Sequence, residues 1–205
     1  MKALLLIDIQ NDFIPGGALP VPGGDEIIDL VNNLQSHFDL VVATQDWHPA
    51  NHKSFASQHK GRQVFEKIEL DGLEQVLWPD HCVQGTKGAA FSPKLEMNRV
   101  EAIFRKGTDA NIDSYSGFFD NGHLKSTGLA DYLKGKGVTE VYLVGLAGDY
   151  CVYFSAKDAI DEGFQTYLIE DAIRSIDKDN FEKAKKDITN KGGKLIKGIG
   201  VMQKS

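Results

Sequence analysis

The first feature of the sequence that could do chemistry is a cysteine placed where a helix is expected to begin. In LVGLAGDYCVYFSAKDA, residues 143–159, an apolar run typical of a strand leads through small residues to a helical pattern near Cys151. A thiol is a nucleophile only as the thiolate, and a helix N-terminus or a nearby cation lowers its pKa from about 8.5. Lys106 could supply that cation and Asp8 could accept the proton. These three residues are therefore candidates for nucleophilic catalysis.

The turn before the cysteine offers a second catalytic feature. The backbone N–H groups of Ala147 and Cys151 would point at one spot and could hold an oxyanion. Each candidate also has a structural explanation, because a free cysteine often packs as a small apolar side chain and an aspartate often ends a strand as a turn residue. These segments taken singly leave both explanations open.

A second set of residues could bind a metal ion. The stretch TQDWHPANHKSF places Asp46 and His48 two positions apart, and such side chains face the same way in extended backbone. The stretch LWPDHCVQGT offers His81 as a third ligand. Two imidazoles and one carboxylate suit Zn²⁺, Fe²⁺ or Mn²⁺, with positions left open for water or substrate. Neighbours that could add to these ligands or compete with them are His52, Ser54, Asp80 and Cys82.

Three aromatic residues stand in loop-like sequence rather than in a periodic core pattern. Phe13, Trp78 and Tyr115 could stack on a flat substrate ring, although loop packing is the better explanation for each one taken singly.

The elements expected to position these residues alternate between strand and helix. A loop-rich stretch over 46–98 interrupts the alternation, and only a short helix near 71–76 is predicted within it. The predicted strands are 2–8, 39–45, 100–105, 139–145, 164–170 and 194–197, and the predicted helices are 24–36, 126–135, 149–162 and 178–191. This pattern indicates an α/β protein with three layers, in which helices cover both faces of a mostly parallel central sheet.

The candidate residues fall at the ends of the predicted strands. Asp8, Lys106 and Cys151 each end or follow a different strand, and Asp46 follows another. Ligands of open parallel sheets bind at the carboxyl ends of the strands. We therefore expect these side chains to meet at one edge of the sheet.

Composition and charge exclude several classes of function. The chain has 205 residues, a net charge of −6 and 25% charged residues, which predicts one domain over 1–205 and disfavours nucleic-acid or anionic-membrane partners. A run of eighteen apolar residues is absent, and the apolar start is broken at Asp8 with no cleavage site after it, so neither a membrane span nor a signal peptide is expected. We therefore expect a cytoplasmic protein, and the two cysteines, Cys82 and Cys151, do not make a disulfide scaffold in a chain this long.

Five motifs, taken together, are far more specific than any one of them. They are D-x-Q-x-D-F from Asp8, D-W-H-P from Asp46, W-P-x-H-C-V from Trp78, R-K-G around Lys106 and G-x-A-x-D-x-C-V ending after Cys151. In this order, and spanning nearly the whole chain, they resemble the nicotinamidases of the isochorismatase-like cysteine hydrolase superfamily. DWHPANH and WPDHCV mark the nicotinamidase branch.

The resemblance implies an activity and a set of roles. It implies the isochorismatase-like hydrolase fold. The implied reaction is the conversion of nicotinamide to nicotinate and ammonia through a thioester, which would serve NAD salvage. Pyrazinamide would be a further substrate. It implies one divalent metal ion, zinc foremost with iron or manganese open, and leaves a homo-oligomer open. The implied catalytic triad is Asp8, Lys106 and Cys151, and the implied oxyanion hole is Ala147 and Cys151, with a cis peptide before Ala147. The implied metal ligands are Asp46, His48 and His81. The implied substrate contacts are the rings of Phe13, Trp78 and Tyr115, and Gln10 would lie near the triad and orient Asp8.

One position departs from part of the family. Some members have a further histidine or glutamate that coordinates the metal shortly after the D-W-H motif, and Ser54 stands at the matching position here. A serine hydroxyl is a poor direct ligand, so Ser54 would contact the metal through water.

Three alternatives to nicotinamide hydrolysis fit parts of this pattern. A related isochorismatase-like hydrolase acting on another small amide or a vinyl ether is disfavoured by the presence of Cys151 and both metal motifs. A metal-dependent oxygenase also uses two histidines and a carboxylate, but it leaves Cys151 and Lys106 without a role. A structural zinc module would close its site with Cys82 as fourth ligand.

Overall fold

The computed structural model describes residues 1–203, and six parallel strands form its central sheet. In chain order the strands are β1 Lys2–Ile7, β2 Leu40–Asp46, β3 Lys67–Leu70, β4 Leu73–Val76, β5 Val100–Lys106, β6 Glu140–Gly145, β7 Gln165–Ile173 and β8 Lys194–Ile196. The order across the sheet is β5-β2-β1-β6-β7-β8, with every neighbouring pair parallel. The remaining two strands, β3 and β4, form a separate antiparallel hairpin.

Helices cover both faces of this sheet. They are α1 Ile28–Leu34, α2 Leu129–Gly135, α3 Tyr153–Asp161, α4 Lys178–Asn190 and α5 Gly198–Met202. Side chains of α1 and α5 pack into the apolar cluster on one face, and side chains of α2, α3 and α4 pack into the cluster on the other. The predicted three-layer α/β/α fold with a mostly parallel sheet is confirmed.

Strand β1 shows why this sequence forms a sheet buried on both faces. All of its residues from Ala3 to Ile7 are buried. Leu4 and Leu6 enter the cluster on one face, whereas Leu5 and Ile7 enter the cluster on the other. An uninterrupted apolar run is what a strand needs when helices lie both above and below it.

The order of the strands determines where a ligand can bind. From β1 the chain moves outward through β2 to β5, and it then returns to place β6 on the other side of β1. The connections after β1 and β6 therefore leave the sheet in opposite directions, and a crevice opens between them. Asp8 directly follows β1, and the turn that carries Cys151 follows β6.

The helix predicted near 71–76 is wrong, because this segment belongs to the hairpin β3–β4. Asp71 and Gly72 form the hairpin turn, with φ angles of 49° and 82°. Two positive φ angles in succession are typical of the tight turns that join antiparallel strands, and Asp-Gly is a preferred sequence for them. The Asp-Gly pair is therefore the feature of the sequence that predicts a hairpin here.

The other differences lie at the ends of elements. The helix predicted over 24–36 begins only at Ile28, the helix predicted over 126–135 begins at Leu129, and α5 was not predicted. The helix predicted over 149–162 begins with a π-helical turn, Gly148–Val152, before α3. Across residues 1–203, every helix is too short or too polar to traverse a bilayer. The last two residues of the predicted single domain, 204 and 205, lie outside the described part of the chain.

Candidate active site and metal centre

The three predicted triad residues meet at the carboxyl edge of the sheet. Lys106 ends β5, and its Nζ lies 3.0 Å from Asp8 Oδ2 and 3.4 Å from Cys151 Sγ. The Asp8 carboxylate, the Asp46 carboxylate and Cys151 Sγ all lie within 4.8 Å of one another. Asp8, Lys106 and Cys151 are at most 7% exposed. An acid, an amine and a thiol are thus in reach of one another and shielded from water.

The lysine holds two carboxylates that differ in their proton affinity. Burial would lower the pKa of Lys106, but the charges of Asp46 and Asp8 outweigh it and raise the pKa well above its ordinary value. Burial would raise the pKa of the Asp46 carboxyl. The charges of Lys106, whose Nζ lies 2.5 Å from Asp46 Oδ1, and of His48 instead hold that pKa well below its usual range. For the Asp8 carboxyl, the effect of burial is larger than that of the Lys106 charge, so its pKa is raised. Asp46 therefore stays ionised, and Asp8 is the carboxylate better able to accept a proton.

The predicted lowering of the Cys151 pKa is wrong for this structure. Burial raises the pKa of the Cys151 thiol well above its ordinary value, and Lys106 only partly opposes this because Asp8 and Asp46 raise it further. The partial positive charge expected at the helix start does not overcome the loss of water around the sulfur. The resting group is a thiol, so a base within reach has to take its proton.

A threonine that the sequence analysis did not single out holds the acid in place. Thr44 Oγ1 donates a 2.6 Å hydrogen bond to Asp8 Oδ1 and accepts a 3.2 Å bond from the Asp8 backbone N–H. Thr44 lies in β2, beside β1, and is fully buried. One Asp8 oxygen is thereby tied to β2, while the other faces the ammonium of Lys106.

The turn between β6 and the cysteine has the backbone shape expected for an oxyanion hole. The Leu146–Ala147 peptide is cis, as the resemblance implies. The Ala147 carbonyl accepts hydrogen bonds from the N–H groups of Tyr150 and Val152. Within residues 1–203, no group accepts a hydrogen bond from the Ala147 N–H, and Ala147 lines the pocket described below. This amide is therefore available to a ligand oxygen.

A glycine allows this turn to leave the sheet close to β1. Gly145 has a φ of 118°, and a Cβ at this position would lie 2.1 Å from the Ile7 carbonyl oxygen. Only glycine fits such a backbone conformation and such an approach. The close contact brings the Cys151 turn directly beside Asp8.

The predicted metal ligands form a second buried cluster, next to the triad. His48 Nε2 lies 3.2 Å and His81 Nε2 3.6 Å from Asp46 Oδ2, and potential ligand atoms of all three residues lie within 4.8 Å of one another. His48 Nδ1 lies 2.9 Å from the Gly107 carbonyl oxygen and His81 Nδ1 2.7 Å from that of Pro79. A carbonyl can only accept, so both Nδ1 atoms carry a proton, and both Nε2 atoms face Asp46, where each can bind a metal ion once it carries no proton. This donor set fits a divalent metal ion.

The neighbouring candidates have other contacts in the structure. Ser54 Oγ lies 2.7 Å from His52 Nδ1, and Ser57 donates a hydrogen bond to Asp80. Cys82 does not share a ligand cluster with the three residues in the described part of the chain, so the arrangement does not support a closed structural site with Cys82 as fourth ligand. His52 forms a different grouping with His48 and Asp113.

An aromatic pocket lies between the thiol and the histidines. The predicted ring contacts Phe13, Trp78 and Tyr115 line it, together with Asp46, His81, Ala147 and Cys151. Trp78 stands edge-on to both Tyr115 and Tyr150, with ring centroids 6.2 Å and 4.9 Å away. Further lining residues that the sequence analysis missed are Leu19, Asp113, Tyr150 and Ile176. Such walls suit a small flat ring.

The Gln10 side chain lies near the triad but has a different partner from the one predicted. It is fully buried and is not among the pocket residues in the described part of the chain. Its side-chain amide pairs with the backbone of Asp46 at both ends, donating to the carbonyl oxygen and accepting from the N–H at 2.8 Å each. Gln10 therefore fixes a predicted metal ligand rather than Asp8 or a substrate.

The buried charges predict a large loss of stability when the lysine is removed. In the metal-free protein, Lys106→Met leaves Asp8 and Asp46 facing each other without the ammonium group that lies between them, so the free energy of unfolding should fall by about 3–5 kcal/mol. Denaturant unfolding at neutral pH measures this. Lys67→Met is the matched control, because its ion pair with Glu74 is exposed and should contribute little. A Lys106 variant as stable as the Lys67 variant would contradict the electrostatic account.

Comparisons with known proteins agree with this geometry. The family model described as the isochorismatase domain matches residues 2–198. A nicotinamidase of Acinetobacter baylyi is 51% identical over 175 residues, which cover 85% of this chain and 82% of that protein.

Solved structures extend the comparison to the fold. A nicotinamidase/pyrazinamidase of Acinetobacter baumanii has a TM-score of 0.95 and 48% identity, covering 98% of this chain and 97% of its own. A pyrazinamidase of Pyrococcus horikoshii in complex with zinc has a TM-score of 0.80 and 39% identity, covering 96% and 98%. The chain belongs to the isochorismatase domain family and, within it, to the nicotinamidases.

Proposed function

We propose that this chain hydrolyses nicotinamide to nicotinate and ammonia through a thioester on Cys151, with pyrazinamide as a second substrate. The observation that carries the proposal is that Lys106 Nζ lies 3.0 Å from Asp8 and 3.4 Å from Cys151 beside an aromatic pocket. Relatives named nicotinamidase or pyrazinamidase support the choice of substrate.

The pocket would orient the substrate before any bond changes. The rings of Phe13, Trp78 and Tyr115 would hold the pyridine ring, with its nitrogen toward Asp46 and His81 and its carboxamide toward Cys151. Asp46, His48 and His81 would hold one divalent cation, and a zinc complex of a related pyrazinamidase supports zinc as the first choice. When bound, this cation supplies Lewis-acid contact to the ring nitrogen, directly or through water.

The first half of the reaction forms the thioester. Asp8 accepts the proton of the Cys151 thiol, and the sulfur attacks the amide carbon of the substrate. The N–H groups of Ala147 and Cys151 hold the negative oxygen of the tetrahedral intermediate. Asp8 returns the proton to the nitrogen as the C–N bond breaks, so ammonia leaves and the acyl group stays on sulfur.

The second half releases the acid. Asp8 accepts a proton from water, and the resulting hydroxide attacks the thioester carbon. The C–S bond breaks, the Cys151 sulfur recovers the proton from Asp8, and nicotinic acid leaves and loses its carboxyl proton to water to give nicotinate. Throughout, the ammonium of Lys106 balances whichever of Asp8 and Cys151 carries the negative charge.

Ammonia release from nicotinamide tests the proposed activity. The purified protein should release ammonia and nicotinate in equal amounts when loaded with zinc, and activity should fall after treatment with a chelator and return with the metal. Pyrazinamide should also be hydrolysed. Failure to hydrolyse nicotinamide, with another small amide accepted instead, would favour the alternative of a different amidohydrolase within the family.

His81→Ala tests the proposed metal site. Because His81 would be one of three ligands, its loss should weaken zinc binding by more than about 100-fold, beyond the effect typical of residues that only orient a ligand. Elemental analysis after dialysis measures the retained metal. His123→Ala is the control, since that histidine is exposed and outside the site. Equal zinc content in the two variants would argue against His81 as a ligand.

Several expectations stay predictions. They are the single domain over 1–205, the cytoplasmic location, the role in NAD salvage and the homo-oligomer.

A further inference from the structure

Asp12 makes two hydrogen bonds that join the pocket wall to the metal-site turn. Its Oδ2 accepts a 2.7 Å bond from the backbone N–H of Cys82, the residue after His81. Its Oδ1 accepts a 3.2 Å bond from the backbone N–H of Ala18. Ala18 lies in the loop between two pocket residues, Phe13 and Leu19. One carboxylate thus bridges two loops that meet at the pocket.

The bond to Cys82 holds a backbone conformation that side chains rarely adopt. Cys82 has a φ of 46°, in the left-handed region that is uncommon for residues other than glycine. Its N–H is held by Asp12, and its carbonyl oxygen accepts a 3.0 Å bond from the backbone N–H of His48. A single residue therefore connects Asp12 to both histidines, to His81 through the chain and to His48 through a hydrogen bond.

The position of the Asp12 side chain is itself tightly defined. A Cβ at Gly88 would lie 2.1 Å from Asp12 Oδ2 and 2.4 Å from its Cγ, so glycine is required where this carboxylate sits. The backbone N–H of Asp12 donates a 3.0 Å bond to the Gly88 carbonyl oxygen. In addition, the ring of Phe13 packs against that of His81 at a centroid distance of 5.5 Å. The aspartate is fixed by its neighbours rather than free to follow the loop.

We propose that Asp12 is a positioning residue for the metal centre, which sets the separation of His48 and His81 by holding the Cys82 backbone. The inference rests on the proposed metal site. It predicts that metal affinity depends on two carboxylate oxygens that never touch the metal. It also predicts that shifting this carboxylate has the same effect as removing its charge.

Two variants separate these effects. Asp12→Asn keeps the size of the side chain but offers one acceptor and one NH₂ group, so one of the two backbone N–H groups loses its partner. Gly88→Ala keeps the aspartate but forces it to move, because of the 2.1 Å contact. Asp120→Asn is the matched control. Asp120 is a buried carboxylate that, like Asp12, accepts backbone hydrogen bonds, from Gly122, Leu124 and Lys125, in a loop outside the pocket.

The measurements are the zinc dissociation constant, from competition with a coloured chelator, and the visible absorption spectrum of the Co²⁺-loaded protein. Asp12→Asn and Gly88→Ala should each raise the zinc dissociation constant by about 10–100-fold and alter the Co²⁺ bands. Asp120→Asn should lower the melting temperature and leave both metal readouts unchanged. The double variant Asp12→Asn/Gly88→Ala should be little worse than either single variant, because both act through one contact.

The outcomes distinguish this inference from the proposed function. If the wild type binds zinc and hydrolyses nicotinamide while Asp12→Asn and Gly88→Ala match it in zinc affinity and Co²⁺ spectrum, the positioning role is refuted and the function stands. Should Asp12→Asn not fold, Gly88→Ala alone decides by the same criteria. A wild type that binds neither ion at this site would refute the metal centre, and the role of Asp12 with it.

Discussion

Replacing Cys151 with alanine should lower kcat for nicotinamide hydrolysis by roughly 10⁴-fold or more, the range seen when a covalent nucleophile is removed. The sulfur is the atom that would carry the acyl group, and it lies 3.4 Å from the ammonium of Lys106. Ring and metal binding depend on other residues, so the variant should still bind zinc and nicotinamide. Ammonia release and isothermal titration together measure the two effects.

Cys151→Ser is the matched control for this prediction. It keeps the shape of the side chain and the positions of Asp8 and Lys106, but it replaces a thiol by an alcohol that is far harder to ionise. Its activity should stay close to that of the alanine variant. Turnover by Cys151→Ala at a rate near that of the wild type would rule out covalent catalysis by this residue.

Asp8→Asn should reduce kcat by roughly 10²–10⁴-fold with little change in nicotinamide binding, because an amide cannot accept the proton of the thiol or of water. Burial raises the pKa of the Cys151 thiol well above its ordinary value, so the reaction depends on a base to ionise it. The side chain is similar in size, and its oxygen can still accept the hydrogen bond from Thr44 Oγ1. Unfolding curves should therefore confirm an intact fold.

Thr44→Val provides a graded comparison for the proton acceptor. It removes the 2.6 Å hydrogen bond that orients the Asp8 carboxylate but leaves the carboxylate itself, so kcat should fall less than in Asp8→Asn. A near-normal rate for Asp8→Asn would mean that another group takes the proton. An equal loss in both variants would mean that orientation, rather than basicity, limits the reaction.

Asp8, Asp46 and Lys106 could be predicted because they stand at or directly after the ends of recognisable strands. Strand β1 is an unbroken apolar run that ends at Asp8, and β5 ends at Lys106. Parallel strands bring their carboxyl ends to one edge of the sheet. The alternation of strands and helices along the chain therefore predicts that residues far apart in sequence meet at that edge. The motifs around His81 and Cys151 then predicted the family, although each motif alone was ambiguous.

The supporting residues were harder to predict because their roles depend on contacts between distant segments. Thr44 looks like an ordinary strand residue, and only its pairing beside Asp8 makes it a hydrogen-bond partner. Ile176 reaches the pocket because Asp149, in the turn with Cys151, accepts hydrogen bonds from the N–H groups of Ile176 and Asp177. Periodicity within one segment carries no information about such contacts.

The pKa of the cysteine shows a limit of reasoning from local features. A helix start and a nearby lysine both favour the thiolate, and both are local features. The structure adds full burial and two carboxylates, Asp8 and Asp46, which favour the thiol. The sign of the pKa shift follows from the environment as a whole, and this is why the proton acceptor becomes central to the proposed mechanism.

The central claim is that Cys151 carries the acyl group of the substrate, and mass spectrometry of an acid-quenched single turnover tests it most directly. Zinc-loaded enzyme in excess over nicotinamide should show, at early times, a nicotinoyl group on the peptide that contains Cys151, and this adduct should decay as nicotinate appears. Nicotinate formed while Cys151 stays unmodified at every time point, or an acyl group found on a different residue, would contradict the account.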